Sequence, residues 1–258
     1  MRNEKEARVG VERRHGVQAI ARAAAVLRAL ERAPEGLGLG EIAAATELPK
    51  STAHRIVAAL AEEDLVAQAA DGRVRLGGGI ARLGAASRDA LAERLRPVLL
   101  DLRRQLDETV DLAVLDGASV RFVDQVPAPQ RLRAMSSVGE VFPLHCTANG
   151  KALLAAMPEP QAAALLPKRL ARFTAHTIGS RDELFAELAQ VRRRGVAFDR
   201  EEHTEGICAV GVAIPGAAEP VLAALSVPVP TQRFRGNERQ LAAAVREAAA
   251  AAESLNAG

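Results

Sequence analysis

Aromatic residues and cysteine are scarce in this 258-residue sequence, which has six phenylalanines, no tryptophan, no tyrosine and two cysteines. So few aromatic rings argue against stacking platforms for RNA or single-stranded DNA. Two cysteines cannot form a disulfide framework, which indicates a reducing compartment. There is also no apolar run of membrane-spanning length, and the charged start has no apolar signal core. These absences predict a cytoplasmic protein that has no membrane partner.

The remaining composition is that of an ordinary globular protein, with 48% hydrophobic and 26% charged residues. The length suits two modest domains or one large one. The net charge of +2 is weak, but residues 1–60 carry ten Lys or Arg against seven acids. A modest local excess of this kind favours a sequence-specific DNA-binding protein over a histone-like coat, whose affinity comes mostly from phosphates.

An amphipathic helix is predicted to begin just after Pro49. Its apolar positions repeat at i, i+3, i+4 and i+7, which places them on one face: Ala53, Ile56, Val57 and Leu60. The open face of its first two turns is polar or basic, through Lys50, Ser51, Thr52, His54 and Arg55. A shorter helix in LGEIAAATEL and a tight turn precede it. The pattern predicts a helix-turn-helix.

A basic hairpin is predicted next, with Asp71-Gly72 as a two-residue turn. Val74 and Leu76 alternate in it with two arginines, and a hairpin after a recognition helix is typical of a wing. Either piece alone is more often a solvated surface, but their order indicates double-stranded DNA as the partner. We expect base contacts from Ser51, Thr52 and Arg55, and phosphate contacts from Lys50, His54, Arg73 and Arg75.

Four segments follow from these patterns. Residues 1–15 are polar and are predicted to be a flexible arm, and residues 16–78 form the winged helix-turn-helix domain. The first helix of that domain is expected to turn Ile20, Ala24 and Leu27 inward. Residues 79–90 are predicted to be a linker helix, and residues 91–258 an effector-binding and oligomerisation domain.

Strand patterns dominate the second domain from Val110 onwards. VDLAVLDGASVRFVDQV predicts a hairpin, RLRAM is a possible third strand, and GVAFD, ICAVGVAIP and PVLAALSVPV predict three more. Helices are predicted at TANGKALLAAM, from Ser180 to about Arg194, and near the C-terminus. The fold class is therefore α+β, with helices packed on a mostly antiparallel sheet.

Three stretches, LPKSTAHRIVAALAEEDLV, VGEVFPLHCTANGKALLA and GVAFDREEHTEGICAVGVAIP, closely resemble the IclR family of bacterial transcriptional regulators. The resemblance extends over nearly the whole chain from about Val17. It implies an N-terminal winged helix-turn-helix domain and a C-terminal GAF-like ligand-binding domain. It also implies dimers or tetramers, and effectors that are small carboxylates or aromatic acids.

The predicted effector site lies at the start of the helix in TANGKALLAAM. Thr147 is its expected N-cap, and the amides of Ala148, Asn149 and Gly150 have no intrahelical partner. The positive end of the helix dipole makes such amides an anion site, near which Lys151 adds charge. The resemblance implies that the pocket walls include Cys146, Asp199, Cys208 and Ser226.

One departure from the family pattern bears on the ligand. Many members continue the strand after Ser226 with a second serine and a glycine, whereas this chain has Pro228 and Val229. A hydroxyl donor and a flexible residue are both lost. This difference favours a more apolar effector, such as a longer or aromatic acid.

Three alternatives stay open at this point. Cys146 and Cys208, with His145 and His203, have the right ligand types for zinc but match no compact zinc motif. Cys146 beside His145 at a helix N-terminus also suggests a thiol-dependent hydrolase or acyl-transfer enzyme. The third alternative is a DNA-binding oligomer that needs no ligand. We expect a regulator that is not an enzyme and has no metal or cofactor.

A dimer of winged domains predicts a pseudo-palindromic operator, because its recognition helices enter successive major grooves. A ligand regulates only if it binds two domain arrangements with different affinity. The linker helix is the expected route from the pocket to the DNA-binding domain. The sequence leaves both repression and activation open.

Overall fold

A computed structural model describes residues 18–134, 136–215 and 223–256. The chain divides into two compact units between Ser87 and Arg88. This division falls within the segment predicted to be a linker helix, although the domain limits stay a prediction. The predicted arm over residues 1–15 lies outside the described residues.

The first unit is a winged helix-turn-helix, as predicted. Its helices and strands, in chain order, are α1 (18–31), α2 (Leu39–Thr46), α3 (Lys50–Glu62), β1 (Val66–Gln68) and β2 (Val74–Leu76). The two strands pair in antiparallel register, from Val66 opposite Leu76 to Gln68 opposite Val74. All five elements contribute to one core, made by Val26, Leu30, Ile42, Ala43, Ala53, Leu60, Val66 and Val74.

Two local predictions for this unit were wrong. Ile20 is 72% exposed, whereas Leu27 packs against the core as predicted, and the buried positions of α1 are Val26 and Leu30. The apolar stripe of an alanine-rich helix does not fix its rotation. The wing loop has three residues and not the predicted two. These residues lie between Ala69 and Arg73, and the Ala69 amide donates a hydrogen bond to the Arg73 carbonyl oxygen. Gly72 has a φ of 78°, whereas Asp71 is outside the left-handed region that a two-residue turn centred on Asp-Gly requires.

The second unit contains the remaining strands and most of the remaining helices. These elements are α4 (Gly78–Leu106, which begins in the first unit), β3 (Val110–Asp116), β4 (Ser119–Val126), β5 (Val141–Pro143), α5 (Ala148–Ala156), α6 (Glu159–Leu165), α7 (Arg181–Arg194), β6 (Ala197–Arg200), β7 (Ile207–Ile214), β8 (Ala223–Pro230), α8 (Thr231–Phe234) and α9 (Glu238–Asn256). The predicted helix start at Ser180 is present, since its hydroxyl accepts a hydrogen bond from the Glu183 amide at 3.2 Å.

The strands of this unit form one antiparallel sheet in the order β5-β4-β3-β8-β7-β6. Each face of the sheet has its own core. Residues of α5, α6 and α7 cover one face, and residues of α4 and α9 cover the other. This arrangement confirms the α+β class with a mostly antiparallel sheet.

The possible strand in RLRAM was wrong. Residues 131–134 are not a strand, and the outer edge of β4 is paired instead with β5, through Arg121 opposite Val141. The segment between β4 and β5 is held instead by the buried hydroxyl of Thr109. This hydroxyl donates a hydrogen bond to the Ala134 carbonyl oxygen and accepts one from the Ala128 amide. Within the described ranges, no helix is both long and apolar enough to cross a membrane.

Candidate functional site

The open face of α3 carries the side chains that were predicted to contact DNA. Lys50, Ser51, His54 and Arg55 are exposed and Thr52 is half-buried, while Ala53 and Leu60 on the opposite face are buried. No acid forms an ion pair with Lys50 or Arg55 among the described residues. The helix therefore presents unneutralised basic side chains and hydroxyls to the outside, as contact with DNA requires.

The two wing arginines are already hydrogen bonded within the unit. Arg73 donates from Nε and Nη2 to the Gly36 carbonyl oxygen at 3.0 and 2.9 Å, and from Nη2 to Glu41 at 3.0 Å. Arg75 donates to the Glu35 carbonyl oxygen at 3.2 Å. These bonds hold the wing against α2 and the loop before it. No sequence pattern indicated this structural role, because the bonds join residues that are 32 to 40 positions apart.

The second unit contains a cavity between the start of α5 and the face of the sheet that α5 covers. Its empty space is about 610 Å³, including the open mouth. Most of the wall area is apolar. The residues that line it are Asp111, Phe122, Ala134, Ser136, Phe142, Thr147, Ala148, Asn149, Asp199, His203, Thr204, Ile207, Ala209, Ser226 and Pro228.

The strand register explains how distant residues meet on the cavity floor. Asp111 on β3 lies opposite Ser226 on β8, and Ser226 lies opposite Gly211 on β7. Paired residues project to the same face of a sheet, so Asp111 and Ser226 share the floor. Gly211 lies against Ala148, the first residue of α5, and this contact fixes the helix start at the edge of the floor.

Thr147 is the N-cap of α5, as the sequence predicted. Its Oγ1 accepts a hydrogen bond from the Gly150 amide at 3.1 Å and donates to the Pro143 carbonyl at 3.0 Å. The Gly150 amide is therefore occupied by the protein, and Ala148 and Asn149 remain at the cavity wall. Asn149 is only 2% exposed, and its Oδ1 has no hydrogen-bond partner within the described part of the chain.

Five of the eight predicted effector residues line the cavity: Thr147, Ala148, Asn149, Asp199 and Ser226. The other three, which are Cys146, Gly150 and Cys208, do not. Gly150 instead packs against the backbone of Leu144, where a Cβ would stand 2.3 Å from the carbonyl oxygen. The Sγ of Cys208 lies 3.5 Å from Thr231 Oγ1.

Lys151 is not in the cavity lining, and its charge, which acts on Asp199 there, is already paired within the protein. Its side chain is fully buried, and Nζ lies 2.5 Å from Glu202 and 3.8 Å from Glu187. The helical periodicity explains this placement, since Lys151 follows Gly150 by about 100° around α5 and faces the unit's interior. The positive charge is thus neutralised by two acids.

Two buried carboxyl groups line the cavity, and the family resemblance had pointed to only one of them, Asp199. Burial is the main cause that raises the pKa of Asp111 to about 6, despite hydrogen bonds from Gln125 and Ser136 that lower it. Burial, with the nearby charge of Glu202, raises the pKa of Asp199 to about 7. An acid inside the apolar strand pattern VDLAVLD was the signal that could have identified Asp111.

Phe142 and His203 form an aromatic part of the cavity wall, and Phe173, which is outside the lining, packs against His203. The His203 ring lies 4.8 Å from the Phe142 centroid and 4.9 Å from the Phe173 centroid. Burial lowers the pKa of His203, so its uncharged form is favoured. This wall therefore presents flat, neutral surfaces to a ligand.

Cys146 lacks the environment of a nucleophile. Burial, together with the charges of Asp199 and Glu202, raises the pKa of its thiol to about 12, so the thiol is protonated at neutral pH. The neighbouring His145 binds elsewhere, with Nε2 at 2.8 Å from the Ala171 carbonyl oxygen. Across the described ranges, no group of three His, Cys, Asp or Glu residues is placed to hold a metal ion.

A winged helix-turn-helix unit joined in one chain to a cavity-containing α+β unit defines a DNA-binding regulator with an effector domain. The family profile described as "Bacterial transcriptional regulator IclR C-terminal" matches residues 83–254, and "IclR helix-turn-helix domain" matches residues 19–70. The chain belongs to the IclR family of DNA-binding transcriptional regulators, as its motifs had indicated.

Several relatives support this assignment. The chain is 52% identical over 231 residues to the HTH-type transcriptional regulator Rv1719 of Mycobacterium tuberculosis, with 89% of each chain covered. The crystal structure of Thermotoga maritima IclR has a TM-score of 0.63 at 26% identity and covers 94% of this chain and 100% of its own. An IclR homologue from Microbacterium hydrocarbonoxydans, solved with 4-hydroxybenzoate, has a TM-score of 0.59 at 25% identity, with 92% and 98% covered.

Proposed function

We propose that this regulator is controlled by a small organic acid with an aromatic or other apolar body, bound in the cavity at the start of α5. The observation that carries the proposal is the start of α5, where Ala148 and the buried Asn149 line a cavity with mainly apolar walls. A preformed apolar cavity with a few polar groups is the usual form of a small-molecule site.

The acidic end of the ligand belongs at the start of α5. The backbone amides of Ala148 and Asn149 lie at the positive end of the helix dipole, where they can donate to a carboxylate. The remainder of the ligand lies against Phe122, Phe142 and Ile207. The described lining contains two carboxyl groups and no Lys or Arg, so the helix start is the feature of this lining that favours an anion.

On the DNA side, we propose that Ser51, Thr52 and Arg55 contact base edges while Lys50 and His54 bind phosphates. Arg75 approaches the phosphates from the wing, and Arg73 chiefly holds the wing in place. The protein acts in the cytoplasm as a homodimer or homotetramer on a pseudo-palindromic operator, because paired recognition helices read two half-sites. The ligand acts by binding two domain arrangements with different affinity.

A DNA-binding assay with and without ligand tests this function. The full-length protein is titrated onto double-stranded DNA from its own upstream region, and benzoate, 4-hydroxybenzoate and glyoxylate are then added. We expect the aromatic acids to change the DNA affinity at lower concentration than glyoxylate does.

The matched variant is Asn149→Leu, checked for folding by its thermal unfolding curve. It is expected to bind the same DNA and to lose the response to acids. DNA binding that ignores every acid would contradict effector control and favour a ligand-independent oligomer.

A further inference from the structure

We propose that Asp111 determines ligand specificity by accepting a hydrogen bond from a hydroxyl group at the end of the ligand remote from α5. The ligand class is then a ring or similar apolar body with an acid at one end and a hydroxyl at the other. This inference rests on the proposed function, because it concerns the same cavity.

The sheet register places Asp111 at the right distance from the start of α5. Gln125, Asp111, Ser226 and Gly211 lie side by side on four adjacent strands. Ala148 lies against Gly211, which is two strands away from Asp111, or about 10 Å at the usual strand spacing. That span suits a single ring with polar groups at opposite ends.

The hydrogen bonds of Asp111 hold its carboxylate in place and leave it able to accept more. Its Oδ1 accepts from Gln125 Nε2 at 2.7 Å, and its Oδ2 accepts from Ser136 Oγ at 2.7 Å. Gln125 Nε2 also lies 2.8 Å from Ser136 Oγ, which completes a closed triangle. An ionised carboxylate has about four acceptor positions, so two remain for a ligand.

The charges around Asp111 favour a donor and disfavour an anion at this end. Asp124 and Glu140 are the nearby charges that act on it, and both are negative. The cavity lining offers it no Lys or Arg among the described residues, and Lys151 is paired with Glu202. A ligand hydroxyl supplies a donor to the Asp111 carboxylate and brings no second negative charge to this end of the cavity.

Calorimetric titration of the full-length protein with 4-hydroxybenzoate and 4-methoxybenzoate tests the assignment. The two acids share a ring and a carboxylate, but only the first can donate from its para position. A hydrogen bond to a charged acceptor predicts that 4-hydroxybenzoate binds roughly ten- to hundredfold more tightly. Equal affinities, or tighter binding of the methoxy acid, would overturn this inference. Either result would leave the proposed control by an organic acid unaffected.

The variant Asp111→Asn sharpens the test, because an amide can donate to an ether oxygen as well as accept. We expect the preference for the hydroxy acid to shrink at least tenfold or to invert. The control Asp116→Asn, on the same strand but outside the cavity lining, should keep the wild-type preference.

Two further outcomes are informative. Tighter binding of 4-(aminomethyl)benzoate than of 4-hydroxybenzoate to wild-type protein would overturn the hydroxyl in favour of an ammonium group. Failure of every acid to bind would overturn both this inference and the proposed effector control, whereas binding of benzoate alone would overturn only this one.

Discussion

Gly211 on β7 lies directly against Ala148, the first residue of α5. A Cβ at Gly211 would stand 2.8 Å from the carbonyl carbon of Ala148, closer than real Cβ atoms approach other atoms. Glycine at this one position therefore lets the start of a helix rest on the sheet. The cavity has its polar end where this contact is made.

Replacement of Gly211 by alanine should displace α5 from the sheet. We expect a loss of about 1–3 kcal/mol in the free energy of unfolding, as for overpacked cores, and weaker binding of aromatic acids. Urea denaturation and calorimetry measure the two effects. Gly40→Ala is the control, because nothing lies within 4 Å of its added Cβ. A stable Gly211→Ala protein with normal ligand affinity would show that the contact does not shape the cavity.

Loss of the buried Lys151 charge should be strongly destabilising. Lys151→Met leaves Glu202 buried without its cation, which typically costs about 3–5 kcal/mol. The double variant Lys151→Met with Glu202→Gln should recover much of that stability, since the unpaired charge is removed as well. Chemical denaturation of the two variants measures the coupling. Equal instability of both would indicate that packing, and not charge, is the main contribution.

Asp199 should make the protein less stable as the pH rises from about 4 to about 7. Its pKa is about 7 in the folded protein against an ordinary value of 3.8, so between these values the folded protein binds a proton that the unfolded chain has released. Its stabilising contribution is complete below pH 3.8 and disappears as the pH rises through 7. In Asp199→Asn the gain over wild type should therefore grow across this range and then level off. Urea denaturation at each pH measures it, and parallel curves would contradict the assigned pKa.

The groups that face Asp199 are unchanged in this variant. Glu202 and His203 donate backbone hydrogen bonds to it, and the charge of Lys151 acts on it from α5. The effect should therefore be absent from Asp116→Asn, where the carboxyl group lies outside the cavity lining and pairs with Arg121.

Arg55 and Arg75 should differ in their effects on DNA binding. Arg55→Ala removes a side chain that can make two hydrogen bonds to one guanine base. Discrimination between base pairs at that one position should therefore fall by about 1–3 kcal/mol. Arg75→Ala should weaken binding to all sequences alike and lower the salt slope by about one. Footprinting and salt titration separate these outcomes.

Arg73→Ala should also lower the thermal stability of the protein, because three hydrogen bonds to Gly36 and Glu41 are lost.

Cys146 should not react with thiol reagents in the folded protein. The side chain is fully buried and its thiol is protonated, because burial raises its pKa to about 12. Labelling by iodoacetamide should be negligible until denaturant is added. Rapid labelling at neutral pH would restore the possibility of a nucleophilic role.

The sequence predicted those features that depend on local periodicity. The face of α3 that carries Lys50 and Arg55, the cap at Thr147 and the strands β6, β7 and β8 follow from spacing and from short motifs, and all are present. Each is decided by residues within a few positions of one another.

The features that the sequence did not predict depend on which segments become neighbours. Asp111 faces the cavity only because β3 pairs with β8, and no pattern within β3 reveals that partner. The same reason applies to Arg73, whose partners Gly36 and Glu41 lie in the loop before α2 and in α2 itself. The pairing of Lys151 with Glu202 was not predicted, because the two residues lie fifty-one positions apart.

The floor of the cavity combines Asp111 of β3 with Ser226 of β8, and neither residue belongs to the core of the winged unit. Under the proposed function, a single substitution at Asp111, Ser226 or Pro228 would alter which metabolite is sensed without altering which promoter is read. The protein is therefore a candidate starting point for biosensors. Substitutions at the cavity floor would change the range of ligands that it binds, while the promoter and its reporter gene stay the same.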